Sequence, residues 1–222
     1  MRTPPPPFGL VVPVKSLDAA KTRLRGAADD GVGEPTAHAR LALALAHDTI
    51  AAVRAAIGVG RLVVVSADPV VAAELAAVGV EVVPDGPVAG LNEAYRHGAR
   101  LLGTSGPVAA LQADLPALRP AELDAALDAA WRAFTAGARA AFCADADGTG
   151  TTMLVTAPGH ELDPRFGVGS AARHRAAGAV ELVGEWPGLR RDVDTADDLR
   201  VAAELGLGPH TRCVLAPSAP GC

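Results

Sequence analysis

Leu10-Val11-Val12-Pro13-Val14-Lys15-Ser16-Leu17-Asp18-Ala19-Ala20-Lys21-Thr22-Arg23-Leu24 decides the fold of this 222-residue chain. Five mostly apolar, β-prone residues stop at a lysine, and a short polar segment carrying Lys15, Lys21 and Arg23 follows. An apolar run of that length fits a strand buried on both faces, as in a parallel sheet. The cations then stand just past its C-terminal end, where ligands bind in open α/β sheets. Three cations within nine residues suit a polyanion such as a nucleoside triphosphate. The competing reading is a solvated loop that happens to be basic.

Outward from that stretch, strands and helices alternate. Residues 8–14 form the first strand, and residues 25–36 a loop rich in Gly, Ala and Asp. Leu41, Leu45 and Val53 mark the buried face of a helix over 35–57. Residues 61–66 are a buried strand. Asp68-Pro69 opens a helix, with Asp as N-cap and Pro at the first helical position, and Gly79 ends it. Strands follow at 80–83, 107–112, 139–144, 152–156 and 179–183, with helices at 91–102, 120–134, 169–177 and 196–205. Such alternation predicts one α/β domain over residues 8–206, with a mainly parallel central sheet flanked by helices. Residues 1–7 read as a flexible proline-rich leader, and residues 207–222 as a Pro/Gly-rich tail, partly loose.

Composition bounds the function. The chain is half hydrophobic but only 3% aromatic, so Ala, Val and Leu must fill the core. A net charge of −5 argues against a dedicated nucleic-acid binder. Cys143, Cys213 and Cys222 have wide spacing and no CxxC, which fits reduced thiols. No apolar h-region precedes a cleavage site and no run reaches transmembrane length, so a cytoplasmic protein without a membrane partner is expected.

Several residues carry candidate chemistry. Asp114 follows the apolar strand Val-Ala-Ala-Leu-Gln, and a carboxylate there suits a divalent cation shared with phosphate oxygens, though it also fits a turn cap. In Asp192-Val193-Asp194-Thr195 the two acids point the same way if the segment is extended, and Asp194-Thr195 also reads as a helix start. Gly148-Thr149-Gly150-Thr151-Thr152 allows a ligand close to the backbone, or is a plain hairpin turn. Phe166-Gly167-Val168-Gly169-Ser170 opens a helix with N–H groups free for a small anion, and Arg173 and His174 are near its start. The same stretch spells GxGxxA, but no strand precedes it, which disfavours an NAD(P) oxidoreductase. There is no HExxH, no GxSxG elbow and no Walker A sequence.

Six motifs in order resemble one family: Val-Pro-Val-Lys-Ser-Leu-x3-Lys-Thr-Arg-Leu, Gly90-Leu91-Asn92-Glu93-Ala94, Ala113-Asp114-Leu115-Pro116, Asp147-Gly148-Thr149-Gly150-Thr151-Thr152, Phe166-Gly167-x-Gly169-Ser170-x2-Arg173-His174 and Asp192-Val193-Asp194-Thr195. The chain is similar over residues 8–206 to the 2-phospho-L-lactate/phosphoenolpyruvate guanylyltransferases of deazaflavin-coenzyme biosynthesis. These belong to a nucleotidyltransferase group with a GT-A-like Rossmannoid fold. Sugar and molybdopterin members of that group carry a glycine-rich first loop, whereas here Lys15, Lys21 and Arg23 stand without it.

The resemblance implies GMP transfer from GTP to the phosphate of a three-carbon phospho-acid, with pyrophosphate released. It implies Mg²⁺ on Asp114, Asp192 and Asp194. Lys15, Lys21 and Arg23 would steady the triphosphate, with Lys15, Lys21, Arg23 and Asp114 forming the catalytic set. Lys15, Arg23, Gly90 and Asn92 would bind GTP, the last two on the guanine and ribose side. Thr152, Gly167 and Ser170 would hold the acceptor. Phosphoenolpyruvate is the expected acceptor because a GC-rich composition suits the bacterial branch; 2-phospho-L-lactate and 3-phosphoglycerate are the alternatives. A non-catalytic nucleotide-binding module is the rival of another class, and a homodimer is left open.

Overall fold

β1 (Phe8–Pro13) is the strand expected from the opening stretch, and every one of its residues except Gly9 is fully buried. The structure is a computed structural model that describes residues 5–17, 24, 27–28 and 31–216. Around β1 lie β2 (Val59–Val65), β3 (Glu81–Val83), β4 (Val108–Leu111), β5 (Ala140–Ala144), β6 (Thr151–Thr156) and β7 (Val180–Glu181). They form a seven-stranded sheet in the order β3-β2-β1-β4-β6-β5-β7. β1 pairs parallel with both β2 and β4, β2 with β3, and β5 with β7. Only β6 runs antiparallel, wedged between β4 and β5. The sheet is therefore mainly parallel, as expected.

Helices cover both faces. α1 (Pro35–Ala55), α2 (Pro69–Ala77) and α4 (Pro120–Thr135) pack on one face, where Leu10, Val12, Val64 and Leu111 meet Ile50, Val53, Leu75 and Leu127. α3 (Leu91–Leu102) and α5 (Ser170–Ala176) cover the other, where Val11, Val65 and Phe142 meet Tyr95 and Phe166. A core so poor in aromatics fills space by close approach of backbones. At Gly98 of α3 an added Cβ would stand 2.3 Å from Val11 Cγ2, so only glycine lets this helix sit on β1. The chain leaves β1 towards β2 and returns beside it as β4, so the strand order reverses at the β1/β4 pair. Crevices of open α/β sheets form at that point.

α2 begins as expected: the Asp68 carboxylate accepts the N–H groups of Val70 at 2.9 Å and Val71 at 3.3 Å. α7 (Ala196–Leu205) also starts where anticipated, with Thr195 and Asp198 forming a reciprocal capping box.

Two short helices were not anticipated. α6 (Pro187–Arg190) precedes the Asp192–Asp194 segment. α8 (Pro209–Leu215) stands where a loose tail was expected. The buried Asp48 carboxylate of α1 accepts the first N–H groups of α8, from His210 at 3.0 Å and Thr211 at 2.8 Å. Leu207, Val214 and Leu215 pack with Leu41 and Leu45 in a third apolar cluster. The proline and glycine content of this stretch thus marks a helix start, Gly208 then Pro209, and not disorder.

Cys143 is a free, buried thiol whose pKa burial pushes up to about 11. Cys213 is disulfide-bonded, so the expectation of three reduced thiols fails there: wide spacing excludes a multi-bridge framework but not a single bridge. Among the described residues no helix is long and apolar enough to cross a membrane.

Candidate active site

A cleft of about 570 Å³ opens at the C-terminal edge of β1 and β4, within the size range of small-molecule sites. Lys15 stands on its wall directly beyond β1, and Asp114 beyond β4. Because β6 is reversed, its first residue, Thr151, lies at the same edge, and the β5–β6 loop over 145–150 adds a third wall. Gly167 to Ser170, ahead of and opening α5, and Asp192, Asp194 and Asp198 complete the lining. Of the sequence-derived candidates, Lys15, Asp114, Gly167, Ser170, Asp192 and Asp194 are thus gathered in one place. Lys21 and Arg23 lie outside the described residues.

The basic loop is anchored at its start. Val14 N–H donates to the Val65 carbonyl at 2.9 Å, continuing the sheet one residue past β1. Leu17 N–H then donates to Asp68 Oδ2 at 2.9 Å. Burial alone would raise the Asp68 carboxyl. The N–H groups of Leu17, Val71 and Val70 and the Ser16 hydroxyl together hold it below the usual carboxylate range. One side chain therefore caps α2 and fixes the two residues after exposed Lys15, while the Val65 carbonyl holds the residue before it.

The acids are brought together by a backbone contact. Val193 is fully buried, and its N–H donates to the Asp114 carbonyl at 3.0 Å. That bond lays the 192–194 segment against the end of β4, with Asp192 and Asp194 both on the cleft wall. Arg191, on the same wall, pairs with Asp198 at 3.3 Å. The described lining holds six carboxylates, from Asp114, Asp145, Asp147, Asp192, Asp194 and Asp198, against the two cations Lys15 and Arg191. A polyanion entering such a wall must bring or meet further positive charge. Carboxylate oxygens are the donor type that Mg²⁺ takes alongside substrate phosphates. Among the described residues no group of three or more His, Cys, Asp or Glu is close enough to hold an ion by itself. An ion on this wall would have to take most of its ligands from substrate phosphates or water.

The β5–β6 loop is held by Asp145, whose carboxylate accepts the N–H groups of Thr149 at 2.9 Å and Gly150 at 2.7 Å. A Cβ on Gly150 would meet Asp145 Oδ2 at 2.2 Å, which explains the glycine. A bulge follows: Ala144 pairs with Thr151 and Cys143 with Met153. Thr151 consequently turns towards α5, its Oγ1 2.9 Å from His174 Nδ1, while Thr152 is enclosed beside the Cys143 thiol on the opposite face. Thr152, expected to hold the acceptor, is not on the cleft wall, whereas Thr151 is.

Two further expectations change. Gly90 and Asn92 do not line the cleft; their neighbour Leu91 does. Asn92 clamps the backbone of Phe166 instead, accepting its N–H at 2.8 Å and donating Nδ2–H to its carbonyl at 3.2 Å. The Ser170 N–H, expected free for an anion, donates to the Gly167 carbonyl at 3.0 Å, and Ala171 N–H to the Thr149 carbonyl at 3.1 Å. The Ser170 side chain, 1% exposed, remains on the wall.

Sequence reasoning passed over Gln112, Asp145 and Arg191 as wall residues; it quoted Asp147 only within a motif and read residues 148–152 as a close ligand approach, of which Thr149, Gly150 and Thr151 are on the wall. Asp145 carries a signal like that of Asp114, an acid just past the end of an apolar strand. Arg191 has none beyond adjacency to Asp192.

Residues 41–180 match the MobA-like NTP transferase domain. A phosphoenolpyruvate guanylyltransferase of Salinispora arenicola is 55% identical over 95% of this chain and 94% of its own length. One from Geodermatophilus obscurus is 53% identical over 96% and 95%. The chain belongs to the phosphoenolpyruvate guanylyltransferase family, and it is a nucleotidyltransferase. Distant solved structures share its fold alone. A nucleotidyl transferase from Methanothermobacter thermautotroptrophicus has a TM-score of 0.60 at 19% identity, over 89% of this chain and 97% of that one. The 4-diphosphocytidyl-2C-methyl-D-erythritol synthase of Anaerococcus prevotii has 0.56 at 9%, over 90% and 95%. Family membership makes the rival reading, a non-catalytic nucleotide-binding module, unnecessary.

Proposed function

We propose that this enzyme transfers GMP from GTP to phosphoenolpyruvate. A phosphate oxygen of phosphoenolpyruvate forms the new bond to the α-phosphorus of GTP. The bond from that phosphorus to the β-phosphate bridge oxygen breaks, and pyrophosphate leaves with the electron pair. No protein nucleophile is required, because both reacting groups belong to the substrates. The observation that carries the reading is the convergence of Lys15, Asp114, Asp192 and Asp194 on one wall in a chain about half identical to enzymes named for this reaction.

The two reactants are anions, so the site must hold together charges that repel. Carboxylates from among Asp114, Asp192 and Asp194, with phosphate oxygens of GTP completing the shell, would hold Mg²⁺, which when bound would offset charge on the α-phosphate. Lys15 supplies a fixed positive charge to the triphosphate, and Asp68 keeps that charge at the strand end. On the opposite wall the hydroxyls of Ser170 and Thr151, with the Gly167 backbone, offer a small polar seat for carboxylate or phosphate. A place in deazaflavin-coenzyme biosynthesis rests on the sequence resemblance.

The test is pyrophosphate release from GTP with Mg²⁺, with and without phosphoenolpyruvate. Release that depends on both substrates and stops on exhaustive chelation is expected. Undiminished turnover after chelation would remove the metal from the scheme, and GTP binding without any pyrophosphate would remove the reaction.

A further inference from the structure

His174 of α5 is 1% exposed, packed between the rings of Phe166 and Phe142 with centroids 5.3 and 5.8 Å away. Both of its ring nitrogens are engaged. The backbone N–H of Arg165 donates to Nε2 at 2.9 Å. A nitrogen that accepts a hydrogen bond carries no proton, so the neutral ring has its proton on Nδ1. Nδ1 lies 2.9 Å from Thr151 Oγ1 and therefore donates to it. The hydroxyl's own proton must then point elsewhere. Among the described residues Thr151 Oγ1 has no second hydrogen-bond partner, and Thr151 lines the cleft beside Ser170. Burial first, then the Arg173 and Arg165 charges, lower the ring's pKa to about 4, with Asp163 opposing, so the ring is neutral at neutral pH.

We propose that His174 is a positioning residue that fixes the Thr151 hydroxyl as a hydrogen-bond donor aimed at the anionic acceptor in the cleft. Arg165 sets the tautomer, the tautomer sets the direction of the His174–Thr151 bond, and that direction leaves the threonine proton for the ligand. A freely rotating hydroxyl would present lone pair and proton alike, and a lone pair facing a carboxylate or phosphate repels it. The identity of the acceptor rests on the guanylyltransferase reading; the direction of the bond does not.

Two measurements on the full chain test this. Long-range nitrogen-15 correlation spectra at neutral pH read the His174 tautomer without any substrate. A proton on Nδ1 and none on Nε2 is expected, and the reverse overturns the proposal. Kinetics and calorimetry then compare Thr151→Val and His174→Phe with the conservative Thr151→Ser and His174→Asn, since Asn can offer an N–H near the Nδ1 position. Loss of one charge-assisted hydrogen bond should raise the KM for phosphoenolpyruvate about tenfold or more, with GTP affinity unchanged. The conservative variants should recover most of that loss. The double variant Thr151→Val/His174→Phe should be no worse than either single one. Effects that multiply, or equal losses of GTP and acceptor binding, would mean His174 only fills space. Should His174→Phe fail to fold, the tautomer and the Thr151→Val/Thr151→Ser pair decide. Wild-type enzyme that ignores phosphoenolpyruvate would overturn the functional reading and not the tautomer result.

Discussion

Lys15 stands one residue beyond the last sheet hydrogen bond of β1 and is exposed to the cleft, so its charge is free for ligand while its backbone is not free to move. Lys15→Ala should lower kcat/KM for GTP by one to two orders of magnitude, since a hydrogen bond to a charged group contributes about 1.5–3 kcal/mol. Denaturation midpoints should shift by no more than about 0.5 kcal/mol, as for other surface substitutions. His174 gives the complementary case, a residue whose charge state matters to stability. Its folded pKa, near 4, lies below the unfolded value of 6.5. The unfolded chain therefore takes up the proton first. Stability is full above the unfolded value and is lost as pH falls from there towards the folded one, at a slope of at most about 1.4 kcal/mol per pH unit. Urea titrations across that window should show the slope in wild type and lose it in His174→Asn. Lys15 and Asp114 were legible in the sequence because each comes within three residues of the end of an apolar strand. Arg191 was not, nor was the choice of Thr151 over Thr152 within the 148–152 stretch, because a helix turn and a bulge, neither visible as a residue pattern, decide where they point.

At the scale of elements, reversed β6 makes the cleft composite. β5 ends at the same edge as β1 and β4, so the 145–150 loop that joins it to β6 lies there with Thr151, and residues 157–169 return the chain to the start of α5 on the same cleft. The loop before α5 is tied back to α3 by the Asn92 amide. Asn92→Ala removes both bonds to Phe166 and should cost about 1–3 kcal/mol of stability. Because the clamp holds the Gly167–Ser170 wall, the KM for the acceptor should rise more than that for GTP. Steady-state kinetics with each substrate varied in turn checks this, and equal effects on both would reassign Asn92 to the nucleotide. The strands and long helices were readable from apolar runs and caps such as Asp68-Pro69. Strand order was not, since antiparallel insertion depends on pairing between residues far apart in the chain.

For the molecule as a whole, α7 and α8 join α1 and Val193 of the acidic segment in one apolar cluster. Asp48 was overlooked as an acid within an apolar helix face, yet it caps α8 from 162 residues away in sequence. Asp48→Ala leaves buried N–H groups without an acceptor and should destabilise by about 1–3 kcal/mol, lowering Tm by several degrees. Calorimetry would show it, and an unchanged Tm would mean α8 is held by its apolar contacts alone. The Pro/Gly content of residues 206–209 hid this helix because it signals loops and helix starts alike.

The acceptor is where the reading is most exposed to test. Wild-type enzyme given Mg²⁺, limiting GTP and equimolar phosphoenolpyruvate, 2-phospho-L-lactate and 3-phosphoglycerate, with products resolved by mass, decides it in one reaction. The guanosine diphosphoester of phosphoenolpyruvate should dominate, matched by an equal amount of pyrophosphate. A mixture dominated by the lactate or glycerate product, or pyrophosphate without any diphosphoester, would contradict the assignment.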